Sequence, residues 1–386
     1  MTASTISAGN KTTQFQKEVR REYVRDGIYG DAIGNDVNSI IQTNKNLKKI
    51  SIPLVGKVGG AGVTGSTALG GSEQALSNYA QTMQPTYHRQ GVLVDNEENE
   101  LAEFDLFQEA RPGLMDWAME LKRDQITQAL GAIEAGGTYA NYGGVGGAYG
   151  AAAATAAQMD TWNTNNADRL MYGALISNYS GGNHTASLAT IDNTADKMSA
   201  ALITLAKRRA NNCRPKIRPV KLGRSKSAVY CMYIGSFGFR DLKNDTVMAQ
   251  ANREARPRDV KDNPIFADGD LYYDGVIIKE VVDMDVFIDA GDTDSAYNGV
   301  WGANATGDSL LDGGNGGTRV GVAFLCGAQA VGFVMGRNAE FKRKKEDDYD
   351  HLNGVAISMK HDIKKTFYNN KQHGMVTVFH SALADA

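Results

Sequence analysis

The run FDLFQEARPGLMDWAMELKRDQITQALG, from Phe104 to Gly131, decides how this chain is read. Phe104, Phe107, Leu114, Trp117 and Leu121, then Ile126, Ala129, Leu130 and Ile133, recur at helical spacing, so one long helix is expected over residues 96–133. Five acids, Asp95, Glu97, Glu98, Glu100 and Glu103, crowd its start, where the positive end of the helix dipole favours them. Gly136-Gly137 is expected to end it, and Pro112-Gly113 to bend or break it. A helix of this length is the natural spine of a large α+β subunit.

On its N-terminal side, Ile50, Ile52 and Leu54 alternate as in a strand, and Pro53 confines that strand to a sheet edge. Seven glycines follow between Gly56 and Gly71, with no large side chains to fix the chain. A return strand is expected at Tyr87 to Val94, which makes Lys49 to Val94 one hairpin-like excursion. Met1 to Gln16 is small and polar, and Phe15 to Leu47 suits an arm lying on other surfaces. On the C-terminal side a helix is expected over Asp192 to Arg209. Strands are expected around Ala228 to Ile234, Tyr272 to Met284 and Val320 to Met335, and Gly374 to Phe379 reads as a strand returning to an earlier sheet.

Composition excludes several classes. The 386 residues suffice for two or three packed substructures, and 41 Lys and Arg against 44 Asp and Glu give a net charge of -3, too near neutral for a protein that coats nucleic acid. Forty-three glycines against 7 prolines point to long loops. Cys213, Cys231 and Cys326 form no Cys-x-x-Cys pair and are read as buried thiols in a reducing compartment. The Met1-Thr-Ala-Ser-Thr-Ile start lacks the basic and apolar regions of a secretory signal. The uncharged run from Ala135 to Met159 has Val145 as its one branched aliphatic residue, so no membrane span is expected there.

The chemical motifs are weak. Gly60-Ala-Gly62-Val-Thr-Gly65 has the dinucleotide spacing after a strand, but neither a helix nor a second strand ending in an acid follows, so a dinucleotide-dependent enzyme is only an alternative. Asp283, Asp285, Asp289, Asp292 and Asp294 lack the glycine and distal Glu of a calcium loop. His351, His361, His373 and His380 show no carboxylate pairing, and Asp274-Gly275 is turn chemistry. No catalytic residue, cofactor or metal ligand is expected. The stretch holding Lys207, Arg208, Arg209, Arg214, Lys216, Arg218, Lys221, Arg224 and Lys226 contains no acid and reads as an electrostatic contact between subunits or a solvated face. A glycine-rich hairpin without its own core belongs to an assembly, where other copies order it.

These features, with NSIIQTNKNLKK (38–49), ISIPLVGKVGGAGVTGSTALGGSEQAL (50–76), the 104–131 run, KIRPV (216–220), LCGAQAVGFVMG (325–336) and DDYDHLNGVAISMKHDIKKTF (347–367), resemble the major capsid proteins of tailed phages. The order and spacing of the segments are similar to those of the coat proteins of the Enquatro-type podoviruses. The resemblance implies the Hong Kong 97-type capsid fold, with an N-terminal arm at 1–48, an extended loop at 49–94, a peripheral domain with the spine helix at 95–163, an axial domain at 164–326 and peripheral return strands at 327–386. It implies no enzyme. It implies hexamers and pentamers in an icosahedral shell enclosing double-stranded DNA without sequence-specific binding, a virion location after synthesis in the host cytoplasm, and no membrane. A separate scaffolding protein, a portal and optional decoration proteins are the implied partners; a bacterial nanocompartment shell shares the fold and stays an alternative. The expected assembly-interface residues are Lys57, Arg89, Glu97, Glu98, Glu100, Glu103, Arg208 and Arg209. Some members of the fold link a loop lysine covalently to a neighbour. Lys57 is the one lysine between Ile50 and Val94, and Gly56 and Gly59 leave it too free for that reaction, so a non-covalent shell is expected.

Overall fold

Helix α1 runs from Leu106 to Gly131 with Pro112 inside it. The expected break is absent. A mid-helix proline costs about 3 kcal/mol, and here Leu114, Ala118 and Leu121 bury one face, after which Arg123 to Gly131 is buried on all sides. That burial outweighs the lost hydrogen bond. The helix stops at Gly131, before Gly136-Gly137, because the Ala132 amide turns back to the Ala129 carbonyl at 3.1 Å and Ile133 opens a strand.

The computed structural model describes residues 49–95 (61, 67 and 72 excepted), 106–135, 138–140, 154–222, 227–255, 271–282, 284, 320–347 and 352–382. They fall into two compact units, one of Thr86–Lys122 with Arg337–Lys360, the other of 49–85, Arg123–Gly336 and 361–382. Strand β1 (Ile50–Val55) pairs antiparallel with β2 (Asn78–Met83), Ile50 facing Met83, so the loop closes on β2 and not on Tyr87 to Val94 as expected. Pro85 is the reason: it has no amide to continue a ladder, and the chain beyond it becomes β3 (Thr86–Asp95). That strand joins a three-stranded sheet in the order β12-β13-β3, with β12 at Val331–Asp347 and β13 at Leu352–Lys365. A short hairpin, β4 (Ile133–Ala135) and β5 (Thr138–Ala140), follows α1; another pairs β14 (Phe367–Tyr368) with β15 (Lys371–Gln372), and a one-turn helix, α3, spans His184–Leu188.

The core of the larger unit is a mixed seven-stranded sheet in the order β6-β16-β11-β8-β10-β9, with β7 on β8. Its strands are β6 (Leu170–Tyr172), β7 (Val220–Leu222), β8 (Ser227–Ile234), β9 (Leu271–Tyr273), β10 (Val276–Glu280), β11 (Val320–Cys326) and β16 (Met375–Ser381). Both faces are covered, and the period of two assigns each side chain to one of them. Cys231, Tyr233, Val322, Phe324 and Phe379 face Ile126 and Leu130 of α1 and Trp162 of helix α2 (Ala156–Asn165). Tyr230, Met232, Ile234, Ala323, Leu325 and Val378 face Leu202, Ile203, Ala206 and Ala210 of helix α4 (Ala200–Asn212). All three cysteines are buried thiols outside any disulfide, Cys231 opposite Cys326 in the β8–β11 ladder.

Two further expectations change. Residues 192–199 precede the helix instead of opening it, because the Asp192 carboxylate accepts from the Thr194 and Ala195 amides at 2.7 Å each and Ser199 caps α4. The returning strand β16 does rejoin an earlier sheet, antiparallel to β11 and parallel to β6, so a cut between 326 and 327 divides that sheet. Asp274-Gly275 makes the expected turn, a two-residue loop between β9 and β10 with φ of 46° and 74°, the type I′ geometry. Gly275→Ala is expected to cost about 1 kcal/mol, since a side chain at positive φ is strained; a urea midpoint unchanged from wild type would overturn this.

Candidate assembly surfaces

The expected interface residues occupy separate places. Lys57 follows β1 and is exposed, one residue after the Gly56 amide bonds the Ser77 carbonyl at 2.8 Å and closes the hairpin. Val58, Leu69 and Leu76 of the same excursion are also exposed, with no core of their own. Glu97, Glu98, Glu100 and Glu103 lie outside the described residues, as do Asp283, Asp285, Asp289, Asp292, Asp294 and His351.

Arg89 stands on β3, in the smaller unit, at the edge of a cleft of about 430 Å³ lined also by Tyr87, Arg337, Lys342 and the β13 run Ala356–Ser358. On β13 Val355, Ile357, Ser358 and Met359 are buried, while Tyr87 and Arg89 on β3 are exposed. Lys360 places its ammonium 5.3 Å from the Tyr87 ring. Arg337 reaches Glu340 at 2.8 Å. Tyr87, Arg337, Lys342 and Ser358 were not among the expected interface residues, because they come from strands far apart in sequence.

Arg208 and Arg209, near the end of α4, line a cavity of about 740 Å³ in the larger unit, with Asp168, Tyr172, Leu175, Ile176 and Tyr179. Arg209 donates to the Ala167 carbonyl at 3.0 Å. Burial alone would raise Asp168, but Arg169, the Arg214 amide and Lys371 together hold its carboxyl below the usual value. Leu175 and Ile176 project at 54% and 80% exposure, an apolar pair beside the two arginines. Lys207, from the same basic stretch, is instead used inside the subunit, paired with Asp274 at 2.7 Å.

Behind that wall, the Tyr172 hydroxyl lies 2.7 Å from Nδ1 of buried His184 and 3.0 Å from Asn163 Oδ1. Burial pushes His184 down to about 3, so its ring is neutral. The consistent assignment has Nδ1–H donating to the phenol oxygen and the hydroxyl donating to Asn163. His361 lies 2.5 Å from Gln125 Oε1, His373 is 3.1 Å from Gln329 Oε1, and His380 Nδ1 is 2.9 Å from the Ser381 carbonyl. Among the described residues no cluster of His, Cys, Asp and Glu could hold a metal, and no helix is long and apolar enough to cross a membrane. Among the described residues between Gly65 and β2 there is no helix, and β2 returns antiparallel to β1, so they do not form the strand-to-helix unit of a dinucleotide site.

A family model described as phage capsid protein matches residues 5–384. The chain belongs to that family. Among solved structures, the capsid protein resembles the Cyanophage Pam1 capsid asymmetric unit at 32% identity and a TM-score of 0.81, over 100% of both chains. It resembles the capsid of Ralstonia phage GP4 in fold, at 18% identity and a TM-score of 0.66 over 100% of both. The head of Helicobacter pylori bacteriophage KHP40 has the same fold at 14% identity and a TM-score of 0.61, covering 97% of this capsid protein and 96% of that chain. No match is found among curated proteins. As a capsid protein the chain is a structural component of the phage virion, which accords with a geometry of exposed loops and charged clefts around closed cores.

Proposed function

We propose that this capsid protein builds the icosahedral head of a tailed phage, arranged as hexamers and pentamers around double-stranded DNA. One observation carries the reading: the match to the Pam1 capsid spans 100% of both chains at 32% identity. Residues 1–48 serve as the arm and 49–94 as the extended loop of a Hong Kong 97-type subunit. The seven-stranded sheet is the axial domain, with β16 included. Helix α1 and the β12-β13-β3 sheet supply the peripheral domain. The exposed loop around Lys57 lies over a neighbour in the shell. A separate scaffolding protein directs assembly, a portal occupies one vertex, and the quoted segments favour a coat protein of the Enquatro-type group.

Electron microscopy of the chain, expressed alone and with the products of neighbouring genes, is the test. Closed shells of one diameter are expected, and the mature particles should run on a denaturing gel as one band near 41.5 kDa. Monomers under every condition would overturn the shell. A ladder of multimers abolished by Lys57→Ala would overturn its non-covalent character.

A further inference from the structure

Two buried donors point to a ligand in the cleft beside Arg89. Ser358 is 6% exposed and, among the described residues, its hydroxyl has no hydrogen-bond partner; Nε of Arg337 is likewise buried without an acceptor among them. Both residues line the cleft, and with Arg89 and Lys342 they give it, among the described residues, three cations and no acid. Glu340, which holds another nitrogen of Arg337, does not line it. Buried donors without acceptors are uncommon in a finished structure. A group that carries only acceptors and a negative charge answers both deficits at once. The remaining wall, Tyr87, Ala356 and Ile357, is largely apolar and suits the methylene stem of a glutamate better than a run of sugar and phosphate.

The chain contains such a segment: Asp95, Glu97, Glu98, Glu100 and Glu103, with Leu101 and Ala102 among them. Within one copy, the extended β3 strand holds Asp95 about 20 Å from Arg89, at roughly 3.3 Å per residue. A second copy carries no such tether. In an assembly of identical chains the segment and the cleft are present in equal number, and their charges are complementary. We infer that the cleft formed by Arg89, Arg337, Lys342 and Ser358 receives a glutamate side chain from the 95–103 segment of a second copy. This rests on the assembly reading above and names one of its contacts.

The test begins with full-length subunits in solution, so that it does not depend on shells forming. A fluorescent peptide of residues 94–104 is titrated into wild type, Arg89→Glu, Lys342→Glu and, as a control at an exposed lysine outside the cleft, Lys243→Glu, each checked for native circular dichroism. Saturable binding that weakens with added salt is expected, falling about tenfold or more in the two cleft variants and unchanged in Lys243→Glu. In the whole chain, Arg89→Glu should lower particle yield, and adding Glu97→Arg with Glu98→Arg should restore it. Absence of peptide binding, or a yield that the charge swap leaves low, overturns the inference. So does a random oligonucleotide that binds more tightly than the peptide and is lost in Arg89→Glu, which would assign the cleft to nucleic acid. If wild type binds the peptide but forms no shells, the shell proposal falls while the contact stands.

Discussion

Asp196→Ala is expected to destabilise the subunit by about 2 to 3 kcal/mol, because it removes a buried carboxylate on which three donors converge, one of them from buried Asn178 and two from the exposed residues Ala174 and Asp192. Asp196 is 1% exposed, yet it lies in an irregular stretch between a turn and helix α4. Its Oδ1 accepts from the Ala174 amide at 2.8 Å, and its Oδ2 accepts from Asn178 Nδ2 at 3.0 Å and the Asp192 amide at 3.1 Å. Its own carbonyl accepts from the Ser381 amide at 2.9 Å, tying it to the end of β16. The carboxylate thus joins the turn after β6, the short helical turn at Ile176–Asn178 and the start of the 192–195 turn. Gly173→Ala should do comparable damage from the other side: its φ is 64°, and a methyl group there would fall on the Asp196 carboxylate. Urea denaturation of dissociated subunits reads both changes. Asp196→Asn keeps the shape but turns one acceptor into a donor facing donors, so it should fall between wild type and Ala. A loss under about 1 kcal/mol for Asp196→Ala would mean that water replaces the carboxylate and that the hub is not structural.

Lys365→Met is expected to flatten the dependence of stability on pH. Lys365 on β13 is 1% exposed, donates to the Ala132 carbonyl at 3.2 Å and lies 5.7 Å and 5.5 Å from the rings of Trp162 and Phe367. Burial pulls its amine from 10.5 down to about 7, although the nearby Cys326 acts in the opposite direction. Below pH 7 the lysine is charged in both states and the folded protein carries the full desolvation penalty. Between about pH 7 and 10.5 the unfolded chain binds the proton that the folded chain has released, so stability rises with pH by up to about 1.4 kcal/mol per unit. Methionine has similar length and no charge. The variant should therefore be the more stable protein at pH 6, by about 1 to 4 kcal/mol, and the advantage should shrink steadily up to pH 9. Denaturant midpoints of the two proteins at pH 6, 7, 8 and 9 make the comparison. Parallel profiles would show that the amine keeps its charge throughout, with water or a shifted backbone supplying the solvation.

Much of the local structure is legible in the sequence. The alternation in Ala228 to Ile234 and Val320 to Met335 marks strands, although the second segment is divided between β11 and β12, and Asp274-Gly275 marks the turn it makes. The helical spacing from Leu114 to Leu130 marks α1 beyond Pro112, while its continuity through Pro112 is not legible there. Each of these signals is carried by residues close in the chain, whose side chains must reach the same or opposite faces of one element. By the same local logic, the capsid resemblance rests on segments read one after another along the chain.

Only the tertiary structure decides pairing and polar partners. Alternation in Tyr87 to Val94 announces a strand but not that it joins β13 instead of β1, and the apolar run at Met375 does not name β6 and β11 as its neighbours. The cleft draws Arg89, Lys342 and Ser358 from three strands, and the Asp196 hub gathers donors from Ala174, Asn178 and Asp192. A side chain's periodicity records whether it faces a core, because every buried face has the same preference for apolar atoms. Which face meets it, and which donor meets which acceptor, depends on groups tens to hundreds of residues away, whose approach is set by the sum of all the burial in the folded subunit.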